Sequence, residues 1–235
     1  MIENIRKFDD FDQFAEDYRE IHTKSISISG ETSEYFAEFK LKWLSKKVSR
    51  ESVFTFLDLG CGDGIFTQWF FKYFPNANYL GVDISAASIE IANKREIKGA
   101  FFQTYDGINI PFETDSIDYC IAACVFHHID HSLHSQVLNE IHRVLKVGGK
   151  FYLWEHNPNN PVTRKIVAEC EFDKDCELLK PSYSKNLINN GTFKSSSIDF
   201  VIFMPRGKFF NHFLFLEKYM RSIPIGAQYV LTAVK

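Results

Sequence analysis

The chain has 235 residues, 45% of them apolar and 24 of them Phe, enough to bury a full core in one α/β domain with room for additions. Lys and Arg total 27 against 30 Asp and Glu, a net charge of −3, so no basic excess points to nucleic acid. No run approaches the ~18 apolar residues of a membrane span; acids and Lys break any leader-like stretch in MIENIRKFDDFDQFAED; and five Cys, odd in number and without C-x-x-C spacing, read as reduced thiols of a cytoplasmic protein.

Residues 1–50 are polar and amphipathic, a helical cover for the main domain. Phe8, Phe11, Phe14, Ala15 and Tyr18 recur at helical spacing. After a turn at Gly30, Thr32 or Ser33 caps a second helix, with Glu34 and Glu38 in its early turns. Residues 51–235 form the main domain. Strands are expected near 54–59, 78–83, 100–105, 117–124, 149–154, 197–203 and 227–234, and helices near 65–73, 85–97, 133–145, 184–190 and 209–221. Gly148 and Gly149 should stop the helix ending at Lys146. Strand–helix alternation at this spacing argues a parallel sheet. The connection over 156–183 is far longer than the ~2–6 residues usual in α/β units, and a short amphipathic helix is expected at 162–171 within it.

The most informative stretch is FLDLGCGDG, Phe56 to Gly64, a buried strand entering a glycine-rich turn ahead of the helical pattern TQWFFKYF. Glycines there permit φ > 0 and let a ligand lie against the main chain, and the next helix points unpaired N–H groups at it. Asp58 sits in the strand end, where a carboxylate needs a partner; a cationic ligand group would be one. YLGVDIS ends the next strand in Asp83, placed to accept hydrogen bonds from ribose hydroxyls. That pairing alone suits a nicotinamide dinucleotide too, but such sites favour G-x-G-x-x-G, and the turn here is G-C-G-D-G.

This turn resembles motif I, hxDxGxGxG, of the class I S-adenosylmethionine-dependent methyltransferases, and the resemblance covers most of residues 54–154. It implies a Rossmann-like three-layer α/β sandwich with a seven-stranded, mostly parallel sheet whose last strand, in AQYVLTAVK, is antiparallel. It implies that Asp58 positions the cofactor amino group, that Gly60 and Gly62 pass under the methionine part, that Asp83 holds the ribose, and that Asp106 in FFQTYDG meets the adenine amino group. Cys61, Ile84, Gly107 and Cys124, beside these positions, complete the expected cofactor contacts, and Tyr18 is the N-terminal aromatic expected over the cofactor. S-adenosylhomocysteine would be the product.

Ligands of open α/β sheets bind beyond the carboxyl ends of the strands. Strand 4 exits into Phe126, His127, His128, Ile129 and Asp130; strand 5 exits into Trp154, Glu155, His156 and Asn157. Two His and a carboxylate thus meet one cleft. When the nucleophile is a hydroxyl, its proton must be removed, and imidazole suits that role, with Glu155 orienting the ring. The arrangement resembles small-molecule O-methyltransferases with a His base after strand 4. Backbone alternation puts His127 and His128 on opposite sides, and His128 is favoured as base. His131 and His134 have helical metal-ligand spacing but fall at the expected exposed start of a helix, so no metal is expected.

The long connection is expected to cover the acceptor. His156, Asn157, Asn159, Asn160 and Thr163 would grip a hydroxylated substrate, and Arg164 a phosphate or carboxylate; Arg206 and Lys208 in MPRGKFF add positive charge at the same end. EHNPNNP and IPIGAQYVLTAVK resemble methyltransferases encoded among bacterial polysaccharide-assembly genes. The expected acceptor is therefore a small molecule: a hydroxyl of a sugar or sugar-linked compound, phosphorylated or not. The alternatives are a quinone or lipid ring methylated at carbon, a protein acceptor, a non-catalytic cofactor-binding protein, and a nicotinamide oxidoreductase. Oligomeric state is left open by the sequence.

Overall fold

The computed structural model describes Asp12, Thr23 and residues 31–171, 173, 176–204 and 210–235. Tyr18, Arg206, Lys208 and the Phe8–Phe14 pattern lie outside the described residues.

Seven strands form one sheet: β1 (Thr55–Leu59), β2 (Asn78–Asp83), β3 (Ala100–Thr104), β4 (Ile117–Ala123), β5 (Leu145–His156), β6 (Lys194–Val201) and β7 (Gln228–Val234). Their order is β3-β2-β1-β4-β5-β7-β6. The pairs from β3 to β5 are parallel. β7 runs antiparallel to both β5 and β6, so it is the one strand of opposite sense, as expected. Because β1 pairs with β2 on one side and β4 on the other, connections leave it in both directions, and a crevice opens at the carboxyl ends there.

Helices cover both faces. On one lie α1 (Ser33–Leu44), α2 (Thr67–Tyr73) and α3 (Ala86–Lys94), whose Leu41, Trp43, Phe70 and Ile89 pack on Phe56, Tyr79, Ile121 and Trp154 of the strands. On the other lie α4 (His134–Val144) and α6 (Pro181–Asn189), whose Val137, Ile141 and Ile188 meet Leu57, Leu59, Cys120 and Phe151. Alternate residues of β1 thus feed opposite cores, which is why its apolar run is unbroken. Burial at roughly 25 cal/mol per Å² of apolar surface is the main stabilising term. α5 (Pro161–Glu169) lies in the long connection, and α7 (Glu217–Met220) is a single turn.

Several boundaries differ from the sequence reading for local reasons. α1 is capped by Thr32, whose hydroxyl accepts the Tyr35 N–H. α3 is capped by Ser85 and stops at Lys94, ahead of Glu96 at φ +50°. The helix expected to end at Lys146 ends at Val144. Gly148 and Gly149 are not its cap; they lie inside β5, where the register slips between Ile117 and Tyr119. A Cβ at Gly149 would approach the Lys146 carbonyl at 2.7 Å. β6 ends at Val201 because Ile202 takes φ +61°. The helix expected at 209–221 is a 3₁₀ segment, Phe210–Leu216, running into α7. No helix of the described residues is long and apolar enough to cross a membrane.

Candidate active site

The glycine turn follows β1 directly. Gly60, Gly62 and Gly64 all take positive φ. A Cβ on Gly60 would collide with the Val125 side chain after β4, whereas one on Gly62 would meet nothing within 4 Å. The first glycine serves packing; the second faces open space. The Gly60 and Cys61 N–H groups both donate to the Val82 carbonyl, so the turn hangs on β2. Cys61 is buried in the core, and burial pushes its thiol well above the usual range. Asp63, buried, is held by Arg95 of the segment after α3 at 2.6 Å, which fixes the far side of the turn.

Asp83 ends β2. Its Oδ2 accepts the Gly62 N–H at 2.8 Å and its Oδ1 the Ser85 N–H at 2.9 Å. Burial raises its pKa, partly offset by those N–H groups. Asp12 of the N-terminal segment reaches the same corner, accepting from the Ser85 hydroxyl at 2.6 Å and the Ala87 N–H at 3.2 Å. Ile84, half-buried, follows Asp83. Asp106 is exposed; its carboxylate accepts from the Ile108 and Asn109 N–H groups and the Asn109 amide. Gly107 beside it has φ +85°. Partial burial pushes the Asp106 carboxyl up, but the Asn109 amide and the N–H groups outweigh it, leaving a lowered pKa.

Asp58 has a partner that sequence reasoning missed. The Tyr79 hydroxyl, from the adjacent strand, donates to its Oδ2 in a very short bond. Burial nevertheless pushes the Asp58 carboxyl up to about 7. Lys40 of α1, set 5.7 Å over the Trp154 ring, pulls the other way.

Across the crevice, a 3₁₀ turn (Phe126–His128) follows β4. It leaves the strand through Cys124 at φ +59°, whose N–H donates to the Trp154 carbonyl and whose sulfur accepts from the Gln228 amide. Glu155 of β5, fully buried, organises the turn. Its Oε1 accepts the Val125 and Phe126 N–H groups, and its Oε2 meets His127 Nδ1 at 2.6 Å. The other nitrogen of His127 faces Asp173 Oδ1 at 3.4 Å. His128 Nε2 faces that same oxygen at 3.1 Å, and its Nδ1 lies 2.9 Å from the Cys176 thiol. The two imidazoles do not point to opposite sides, as strand alternation suggested. The chain is helical there, so both rings turn to Asp173 with centroids 4.2 Å apart.

Their charges differ. Burial opposes ionisation of His127, but Glu155 and Asp173 outweigh it and raise its pKa to about 10. Burial and then the charge on His127 lower that of His128. The same two causes bring His156 down to about 4; its ring lies 5.5 Å from that of His127. For Glu155, burial raises and His127 lowers, with a net depression. At neutral pH the cluster therefore holds one charged and two neutral imidazoles between two carboxylates.

Asp173 and Cys176 come from the long connection and escaped the sequence reading, because Glu171, Asp173, Asp175 and Glu177 in EFDKDCE look alike there. The connection's start does a different job from the one expected. The buried Asn157 donates its amide to the Pro224 and Gly226 carbonyls, Asn160 caps α5 and donates to Ile225, and Thr163 donates to Ala227. These groups pin α5 to the entry of β7 rather than pointing at a substrate. Arg164 and Asn159 are exposed. His134 is not at an exposed helix start: it is buried, its Nε2 shared by the Phe126 and Ile129 carbonyls and its Nδ1 bonded to the Tyr183 hydroxyl. That leaves His131, stacked on Tyr183, without a metal-binding partner at position 134.

A glycine turn after β1, an acid ending β2 and a switch point between β1 and β4 coincide with the likeness to known proteins. Residues 57–153 match the model of a methyltransferase domain. Over 118 residues the chain is 30% identical to a phthiotriol/phenolphthiotriol dimycocerosates methyltransferase of Mycobacterium ulcerans, a stretch covering 50% of this chain and 41% of that protein. It is 31% identical to a demethylmenaquinone methyltransferase of Lactobacillus johnsonii over 139 residues, 56% of this chain and 53% of that one. The chain thus spans about half the length, or less, of these curated relatives. A crystal structure of a SAM-dependent methyltransferase from Thermotoga maritima shares the fold with a TM-score of 0.69 at 18% identity, over 97% of this chain and 99% of that one.

S-adenosylmethionine is the cofactor of this domain class, and the residues present fit it. The glycine turn leaves open space above Gly62, where a methionine part would lie on bare backbone. Asp83, held at the end of β2 by the Gly62 and Ser85 N–H groups, would meet ribose hydroxyls. Asp58, pushed up by burial, would be ionised by an ammonium group beside it.

Proposed function

We propose that this chain transfers a methyl group from S-adenosylmethionine to a hydroxyl of a small-molecule acceptor bound beyond β4 and β5. The observation that carries this reading is the buried His127–Glu155–Asp173 assembly with His128 at its solvent side, set across the crevice from the open face of Gly62. Bound cofactor supplies a methyl group on a sulfonium. Glu155 holds the His127 ring, and Asp173 ties both rings together. His128 meets the acceptor oxygen, and the cluster draws off its proton. Asp58, Gly62, Asp83 and Asp106 hold the cofactor, with Cys61, Ile84, Gly107 and Cys124 around it.

The acceptor class we favour is a sugar or sugar-linked hydroxyl, with Arg164 on the exposed face of α5 as the group that engages an anionic acceptor. A second reading has an observation of its own. Val162 and Ile225 are both exposed and are linked through the Asn160 side chain, which accepts the Val162 N–H and donates to the Ile225 carbonyl. The L. johnsonii relative, moreover, is a demethylmenaquinone methyltransferase. Together these favour an apolar ring acceptor methylated at carbon.

The test is S-adenosylhomocysteine release from the whole chain offered sugar nucleotides on one side and demethylmenaquinone or a phenolic lipid on the other. His128→Ala should lower turnover by ~10²–10⁴ with S-adenosylhomocysteine affinity kept. Turnover on quinone alone would replace the first reading with the second. Calorimetry showing tight NAD binding and none of S-adenosylhomocysteine would end both.

A further inference from the structure

His127, His128 and Asp173 each offer a ligand atom, all within 4.8 Å of one another, from side chains that are buried or nearly so, and the Nε2 atoms of both rings face Asp173 Oδ1. The geometry points to a divalent transition-metal site, zinc first among its occupants, formed by these three ligands at the acceptor end of the crevice. This rests on the reading of the cluster as the acceptor site and deepens it.

Three features support the assignment. The first is spacing. Metal–ligand bonds of ~2.1 Å place neighbouring ligand atoms about 3.0–3.4 Å apart in octahedral or tetrahedral arrangements. The two edges that meet at the carboxylate oxygen, 3.1 Å from His128 and 3.4 Å from His127, fall on that span. The second is orientation. Ligating imidazoles give their other nitrogen to an outer partner. His127 Nδ1 is bonded to Glu155 at 2.6 Å, and Glu155 is itself locked by two backbone N–H groups. His128 Nδ1 has the Cys176 sulfur at 2.9 Å. Both rings are therefore held with Nε2 directed at the common point. The third is donor chemistry. Two imidazoles and one carboxylate form the three-ligand set of catalytic zinc, which keeps its remaining position open.

That open position suits the acceptor oxygen. A hydroxyl bound to the ion loses its proton to solvent more readily. Its oxygen then forms the bond to the methyl carbon as the S–CH3 bond breaks, and the electron pair of that bond stays on sulfur. In this form His127 releases its Nε2 proton to solvent and binds as a neutral ring, His128 is a ligand, and the ion takes over the deprotonating role that the cluster plays without it.

The experiment titrates the chelator-stripped whole chain with zinc by calorimetry and follows cobalt(II) uptake by its visible spectrum. One equivalent should bind with a Kd below about 1 μM, and cobalt should give ligand-field bands of a nitrogen–oxygen site. Asp173→Ala and His128→Ala should each abolish uptake. Glu155→Gln, which alters the partner of the outer nitrogen of His127 and removes no ligand, should weaken it ~10–100-fold. His131→Ala should leave it unchanged. S-adenosylhomocysteine binding by each variant reports that it is folded. Absence of stoichiometric uptake by the parent chain, or full uptake by a folded Asp173→Ala variant, overturns the site. Acceptor turnover separates this from the wider reading. Uptake with no turnover on any acceptor would leave the ion site standing and remove methyl transfer. Undiminished turnover in a stripped protein that takes up no metal would do the reverse.

Discussion

The two halves of the crevice are built by different means. The proposed cofactor half, at the ends of β1, β2 and β3, is mostly backbone: a turn hung from Val82, and an acid held by the N–H groups of Gly62 and Ser85. Its parts lie close in sequence, and their spacing carries the information. The proposed acceptor half, at the ends of β4 and β5, is made of side chains. His127, Glu155 and Asp173 come from a turn, a strand and a connection, and each depends on the next. A backbone site tolerates change around it; a side-chain relay loses several groups when one is removed.

That contrast can be broken most forcefully at Glu155. Glu155→Gln puts an amide against His127 Nδ1 and removes the carboxylate that keeps the ring charged. We predict a fall in turnover of at least about 100-fold, with S-adenosylhomocysteine affinity within a factor of about three. Equal losses in both quantities would mean that the halves are one unit.

Asp58 tests whether the cofactor half is primed for a cation. Its pKa rises from 3.8 to about 7 on folding, so the folded protein keeps the proton longer than the unfolded chain does. Stability attributable to this group is therefore greatest in acid and is lost as pH rises from about 4 to about 7, at ~1.4 kcal/mol per pKa unit. Asp58→Asn should flatten that slope in melts of the ligand-free protein and leave the variant the more stable at pH 8, while weakening cofactor binding. An unchanged slope would show that Tyr79 already satisfies the carboxylate.

A smaller effect is expected at the glycines, where it sharpens the comparison. Gly62→Ala adds a methyl to open space at φ +52°. It should weaken S-adenosylhomocysteine by tenfold or more, ~1.4 kcal/mol, with little change in turnover at saturation. Gly60→Ala drives a methyl into Val125, whose N–H donates to Glu155, so its damage should cross into the acceptor half and lower turnover as well. Equilibrium binding and saturated rates of the pair decide this.

The same contrast explains what could be read from the amino-acid order. Seven strands and the glycine turn follow from local apolar runs and turn residues, the antiparallel last strand follows from the resemblance, and all appear. Gly148 and Gly149 misled because a glycine pair after a helix looks like a cap, yet here the chain was already extended from Leu145 and the glycines ease a slip in register. His127 and His128 were visible as residues, but their directions depend on a 3₁₀ turn that strand alternation does not foresee. Asp173 was invisible among neighbouring acids. The Asn run of the connection was legible as polar and misread as substrate-facing, because only the fold brings residues 224–227 beside it to accept those amides.

The position of β7 bears on the order in which the chain can assemble. Among the described residues β6 has β7 as its one neighbour in the sheet, and β7 follows it in the chain. β1 to β5 can pair as they emerge, but β6 has nothing to join until Gln228–Val234 has followed it. The amides of Asn157 and Asn160 likewise wait for the Pro224, Ile225 and Gly226 carbonyls just ahead of β7. Contacts of such long sequence separation form late, and an unpaired strand edge invites association meanwhile. During synthesis the glycine turn and its acid can be in place while the edge of β5 is still bare, so the seven-residue β7 acts as the latch that closes this side of the sheet.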